Sequence, residues 1–246
     1  MYFKTIQASS FKTIFEVLKD VLNDVNVIFN RDGIRILTLD TARAALIDLT
    51  LAADNFEEYS CDDEITAGVN MANMFKLLKT IGNNDTLEVR VDNTEFMDIL
   101  VRNSEKKSKT AFKLKLLDIN DDRIDIPNVN IEVVTVMPSV DFQRICRDMG
   151  NLSNDVSISR SGKLLKISCE GDFANQDTVI ECSDESVDTN GKYSLKYLNI
   201  FTKATSMCSN MRLLQNTENN FLILSYNVAN LGQLQFYLAS KVSDDE

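Results

Sequence analysis

Two stretches of this chain repeat one another at long range. Phe11-Lys12-Thr13-Ile14 opens a segment that closes on Asn23-Asp24-Val25, and Phe142-Gln143-Arg144-Ile145 opens one that closes on Asn154-Asp155-Val156. The offset is 131 residues, more than half of the 246-residue length. Solenoid repeats recur every ~20–50 residues and in several copies. Two copies at this distance instead predict a duplicated domain. Such a fold supplies two matching places for work, which suits an extended binding surface better than one catalytic centre.

The remaining pattern fills in that domain. Phe11, Ile14, Phe15, Leu18, Val21 and Leu22 share one face at helical spacing, with Ser9 or Ser10 as the expected N-cap. Phe142, Ile145, Met149 and Leu152 do the same in the second half, with Ser139 as cap. A second helix is expected in each half, over Met71–Thr80 and Leu195–Ala204, 124 residues apart. Alternating runs read as strands. Residues 25–29 and 34–39 flank an Arg31-Asp32-Gly33 turn, and 155–160 and 164–169 flank Ser161-Gly162. Further runs occupy 44–51, 87–91, 96–101, 110–116, 178–182, 211–215, 221–226 and 234–238. The acidic run from Leu117 to Pro127 has no helical period and reads as an extended connector, and Pro138 precedes the second repeat. The expected organisation is an N-terminal domain at 1–116, a connector at 117–134 and a C-terminal domain at 135–246. The expected class is α+β, with two helices on one face of antiparallel sheet in each half.

Composition removes several functions. At 44% apolar and 26% charged residues, the chain has ordinary globular material for two cores. No apolar run approaches the roughly 18 residues of a membrane span, and the N-terminus does not read as a signal peptide. Cys61, Cys146, Cys169, Cys182 and Cys208 are odd in number and form no C-x-x-C, so free thiols in a reducing compartment are expected. There is no histidine, which removes Ser-His-Asp and Cys-His catalysis and the commonest transition-metal ligand. Neither a zinc site nor any cofactor is expected from what is left.

Charge is the informative property. A net charge of −11 taken alone argues against nucleic acid. Its distribution reverses that reading. The four expected helices carry Lys12 and Lys19, Lys76 and Lys79, Arg144 and Arg147, and Lys196 and Lys203 opposite their apolar stripes. Acids gather elsewhere, at 54–63, 118–125, 184–188 and 244–246. One such pair is an ordinary solvated helix face. Four of four, at matching points of a repeat in an acidic protein, predict helices that face a common polyanion. Point contacts of this kind engage phosphates without reading sequence. No aromatic-rich basic strand is present to stack bases, so the backbone of a duplex is the expected ligand.

Several stretches are more particular than composition requires. Phe142-Gln143-Arg144-Ile145-Cys146-Arg147-Asp148, the run from Leu195 to Thr205, and Leu238-Ala239-Ser240-Lys241-Val242 closely resemble the eukaryotic-type DNA sliding clamp, the proliferating cell nuclear antigen family. So do Gly68-Val69-Asn70 leading into Met74–Lys79, and Leu114–Asp118 leading to Ile126-Pro127. The resemblance spans the whole chain. It implies a non-enzymatic homotrimeric ring, with antiparallel sheets outside and two helices per domain lining a channel. Duplex DNA threads the channel, and the clamp tethers DNA polymerase, a clamp loader and repair factors in the nucleus or a viral replication compartment.

The resemblance also implies residue roles. The family's channel bases fall on Lys4, Lys12, Lys19, Lys76, Lys79, Arg144, Arg147, Lys196 and Lys203, while Thr13 stands where relatives often have Lys. The head-to-tail subunit interface falls on Phe112, Lys113, Leu114, Thr178, Val179 and Ile180. The pocket for partner peptides bearing the PIP-box motif falls on Leu39, Arg43, Leu46, Ile124, Ile126, Pro127, Tyr237, Ala239 and Ser240. Ser240 replaces a usual Pro and Arg43 a common His, which bears on partner preference. The lysine that carries ubiquitin in many relatives has no clear counterpart beside Arg160 and Lys163.

Two other readings compete. A checkpoint-type clamp subunit would act in a heterotrimer and diverge at pocket and interface. A metal-dependent nuclease could recruit Asp62-Asp63-Glu64 and Asp121-Asp122, but no motif places a partner acid beside them.

Overall fold

The computed structural model describes residues 1–40, 42–120, 124, 130–217 and 221–241. The chain divides into two compact units. The first comprises Met1–Thr41, Ile47–Ile124 and Asn227–Leu234, and the second Ala42–Leu46, Asp125–Tyr226 and Gln235–Glu246.

In chain order the first half runs β1 (Tyr2–Thr5), α1 (Ala8–Leu18), β2 (Asp24–Asn30), β3 (Gly33–Leu39), β4 (Ala45–Ala52), β5 (Glu58–Ser60), β6 (Ile65–Asn70), α2 (Met71–Leu78), β7 (Asp85–Arg90), β8 (Phe96–Asn103) and β9 (Ser108–Lys115). One sheet has the order β5-β1-β7-β8-β9, and β4-β3-β2-β6 are successive neighbours in a second. The helices cover the apolar faces. Phe11 of α1 stacks on Phe3 of β1 at 5.2 Å between centroids, and Phe56 closes the cluster 5.0 Å from Phe3. Each buried ring of this size contributes roughly 1.5–3 kcal/mol against exposure.

The second half runs β10 (Val133–Pro138), α3 (Ser139–Met149), β11 (Asp155–Glu170), β12 (Asn175–Ser194), α4 (Leu195–Phe201), a 3-10 turn at Thr202–Met207, β13 (Asn210–Gln215), β14 (Phe221–Val228) and β15 (Gly232–Ala239). Strands β10-β13-β14-β15 are neighbours, and β11 pairs with β12. Phe201 of α4 stacks on Phe236 of β15 at 4.3 Å in the core of this half. The duplication is literal: α1 and α3 start 131 residues apart and have equal length, and β2 and β11 also start 131 residues apart. Duplicated, mostly antiparallel domains with two helices each are the expected α+β class.

Some local expectations need correcting. Neither Ser9 nor Ser10 caps α1: the Ser10 N–H already donates to Gln7 O, so the helix begins at Ala8, with Gln7 at the cap. Ser139 is likewise the first residue of α3 rather than its cap, because Pro138 occupies that place and the Ser139 N–H donates to Ser209 O. Strand β11 runs through Ser161-Gly162. Its pairing with β12 shifts register on both sides of Gly162, whose φ of 52° is the left-handed conformation a turn glycine supplies. Arg160 is buried there and donates to Gly162 O and, at 2.5 Å, to Asp184 O, whereas Lys163 is exposed.

The start of the connector is tied to its own unit. The Leu117 N–H donates to Gly68 O at 2.8 Å, and Asn26 Nδ2 donates to Ile119 O at 3.1 Å. A Cβ on Gly68 would lie 2.2 Å from Leu117 O, so this approach requires glycine.

Candidate nucleic-acid interface

In the first unit α1 packs against α2. Phe11, Ile14, Leu18, Met71, Met74 and Leu78 point into the core. That burial fixes which side chains face away. Lys76 of α2 and Lys79 at its C-cap are exposed, and no acid lies between Asn70 and Thr80. Asn70 caps α2 by accepting the Asn73 N–H at 2.9 Å, and Lys76 Nζ makes a long 3.3 Å bond to Asn73 Oδ1.

The α1 lysines are engaged across the helix pair. Lys12 Nζ donates to Ile81 O at 3.0 Å, just past α2. Lys19 Nζ sits 5.2 Å above the Phe75 ring and pairs with Asp20 at 2.9 Å. Glu16 is exposed one helical turn beyond Lys12. The face of α1 is therefore mixed in charge, and that of α2 is purely cationic.

The second unit repeats this division. Gln143 Nε2 donates to Thr202 O at 2.9 Å and Asn199 Nδ2 to Cys146 O at 3.2 Å, binding α3 to α4 and its 3-10 extension. On α3, Arg144 pairs with Asp141 at 3.2 Å and Arg147 with Asp148 at 3.6 Å, all four side chains well exposed. Exposed pairs of this kind contribute roughly 0–1 kcal/mol, so a phosphate can displace the carboxylate. On α4 and its extension, Lys196 and Lys203 are exposed and no acid lies between Leu195 and Met207. Glu16 lies four positions after Lys12 and Asp141 three before Arg144, whereas Asp20 and Asp148 directly follow Lys19 and Arg147, yet the basic pairs alone do not reveal these acids. That spacing is the available signal.

Lys4 does not join the helix face. Strand alternation turns Phe3 and Thr5 toward α1 and sends Lys4 to the opposite side of the sheet. There its Nζ lies 2.8 Å from Glu58 Oε1, and that hydrogen bond raises the lysine's pKa.

The expected interface residues lie on sheet margins. Phe112, Lys113 and Leu114 are on β9, the end strand of its sheet, and Phe112 is half-buried opposite Ile99. Thr178, Val179 and Ile180 are on β12, and Val179 is 57% exposed. Beside β12, Thr178 and Ile180 border a hollow with Met137, Pro138 and Ile145.

The expected peptide-pocket residues divide between the units. In the first, Leu39 ends β3 half-buried and Ile124 is half-buried. In the second, Arg43 is exposed with φ of 55°, Leu46 and Tyr237 are buried, Ala239 is exposed and Ser240 half-buried. Ile126, Pro127, Asp121 and Asp122 lie outside the described residues. Asp62, Asp63 and Glu64 are exposed, and among the described residues no three His, Cys, Asp or Glu side chains gather as metal ligands. Among the described residues, no helix is long and apolar enough to cross a membrane.

Comparison with known proteins agrees with this arrangement. Residues 1–124 match the family model of the proliferating cell nuclear antigen N-terminal domain, and residues 125–241 match that of its C-terminal domain. A probable DNA polymerase sliding clamp of Paramecium bursaria Chlorella virus 1 is 36% identical over 255 aligned positions, covering 98% of this chain and 97% of the relative. Duplicated domains, paired basic helices and both family matches lead to one conclusion: the chain belongs to the proliferating cell nuclear antigen family, the DNA sliding clamps that support polymerase processivity in replication.

Proposed function

We propose that three copies of this chain close head to tail into a ring around duplex DNA. Residues 117–134 would join clamp domains at 1–116 and 135–246. The observation that carries the reading is the cationic, acid-free face of α2 and of α4, each held outward by a partner helix. A ring explains why so acidic a protein can work on DNA. Encirclement keeps it there, and weak, salt-sensitive phosphate contacts permit sliding. Joining β9 of one copy to β12 of the next would cover two strand margins that otherwise invite aggregation. Leu39, Arg43, Leu46, Ile124, Ile126, Pro127, Tyr237, Ala239 and Ser240 would form the pocket for PIP-box peptides of polymerase, loader and repair proteins. An apolar hollow under a connector suits an amphipathic turn. The site of action would be the nucleus or a viral replication compartment.

Sedimentation of the pure protein tests the ring. The expected species has three times the 27.8 kDa chain mass. A monomer that assembles only with different subunits would replace this reading with the heterotrimeric one.

A further inference from the structure

Strand β9 carries more positive charge than any helix, and none of it faces the helices. Thr110, Phe112 and Leu114 lie opposite Val101, Ile99 and Met97, so they point to the core side of the sheet. Lys109, Ala111, Lys113 and Lys115 therefore point the other way and are exposed. Lys113 Nζ rests 4.7 Å from the Phe96 ring centroid.

Strand β12 has the complementary pattern. Gln176, Thr178 and Ile180 lie opposite buried Cys169, Ile167 and Leu165, which leaves Asp177, Val179 and Glu181 exposed on the outward face. Asp177 is 3.3 Å from Lys166, and both are exposed, so its carboxylate can take a second cation.

We propose that these two faces form a charge lock that sets the register in which one copy of this chain joins the next. The proposal rests on the head-to-tail ring above and deepens it. The lysines Lys109 and Lys113 are four residues apart, as are Asp177 and Glu181. One antiparallel register puts Lys113 opposite Asp177, Lys109 opposite Glu181, and Ala111 opposite Val179 between them. It also sets Phe112 opposite Thr178, at the hollow lined by Met137 and Ile145. A slip of two residues in either direction leaves at least one carboxylate without its lysine. A slip of one turns Phe112 away from the hollow. Directly opposed unlike charges stabilise an antiparallel pair and like charges oppose it. The lock thus also favours a second copy of this chain over a partner lacking the acidic strand.

The test is sedimentation of the full chain and of charge-reversed variants at low and high salt. Lys109→Glu and Glu181→Lys should each raise the concentration at half assembly by about tenfold, since attraction becomes repulsion at three equivalent junctions. The double variant should regain most of the loss. Because exposed charges are screened within about 8 Å at 0.15 M salt, the single-variant defects should shrink as salt rises. Rescue of Glu181→Lys by Lys113→Glu instead of Lys109→Glu would overturn the register. Trimers unaffected by either single change would overturn the lock and leave the ring standing. An unmodified chain that is monomeric at every salt concentration would refute the ring itself.

Discussion

Replacing Lys76 and Lys79 together by Ala isolates the contribution of one helix to DNA contact. Both side chains are exposed on α2, neither anchors the core, and Ala is a good helix former, so the fold should persist. Each phosphate contact contributes a slope of about −0.9 to log K against log salt on duplex DNA. Losing two lowers the slope by about 1.8. Between 50 and 200 mM salt this shrinks the fall in affinity by about tenfold. Lys12 and Arg144 should matter less. Lys12 must release the carbonyl of Ile81, and Arg144 must leave Asp141 behind as a repelling charge. Lys4→Ala is the internal control, because Lys4 sits on the other face of the sheet beside Glu58. The assay is fluorescence anisotropy of a labelled linear duplex titrated at several salt concentrations. An unchanged slope in the α2 variant, or an equal drop in Lys4→Ala, would refute the assignment of α2 as a DNA-facing element.

Three further outcomes are expected. Phe112→Ala should shift the protein toward monomers in light scattering with little change in far-UV circular dichroism, because Phe112 is only half-buried in the free chain. Glu132 accepts hydrogen bonds from Thr217 N and Oγ1 at 2.8 and 2.6 Å, and these lower its pKa. A depressed carboxylate contributes stability above its unfolded pKa and loses it as pH falls through the folded value. The urea midpoint of Glu132→Gln should thus trail the unmodified protein at neutral pH and converge with it in acid. Burial raises the pKa of the Cys146 thiol far above the usual range, so Cys146 should resist maleimide at pH 8 while half-exposed Cys208 reacts, as mass spectrometry of peptides would read.

The duplication is legible in the sequence because core spacing repeats. Phe11 and Ile14 recur as Phe142 and Ile145, and both pairs are buried. The four helices follow from the same arithmetic. Strands β5 and β10 escape it for physical reasons: Glu58–Ser60 is three residues held by main-chain bonds to β1, too short for alternation to show, and in β10 the outward Val134 and Val136 are as apolar as their buried neighbours. Caps escape because a Ser near a helix start does not say which residue turns first; at α1 it is Ala8. The basic pairs are legible as pairs. Whether each faces the helices' solvent side depends on which side of its sheet the helices pack. That is a tertiary fact, and it removes Lys4. The margins β9 and β12 are legible as strands, while their being end strands requires the topology.

The central claim is that encirclement, not affinity, holds this protein on DNA. It is tested by loading the protein onto a nicked circular plasmid with a clamp loader, cutting the plasmid once, and measuring retention by gel filtration at constant salt. The account predicts that protein stays with the circle and slides off the linear form. Equal retention on both would contradict it.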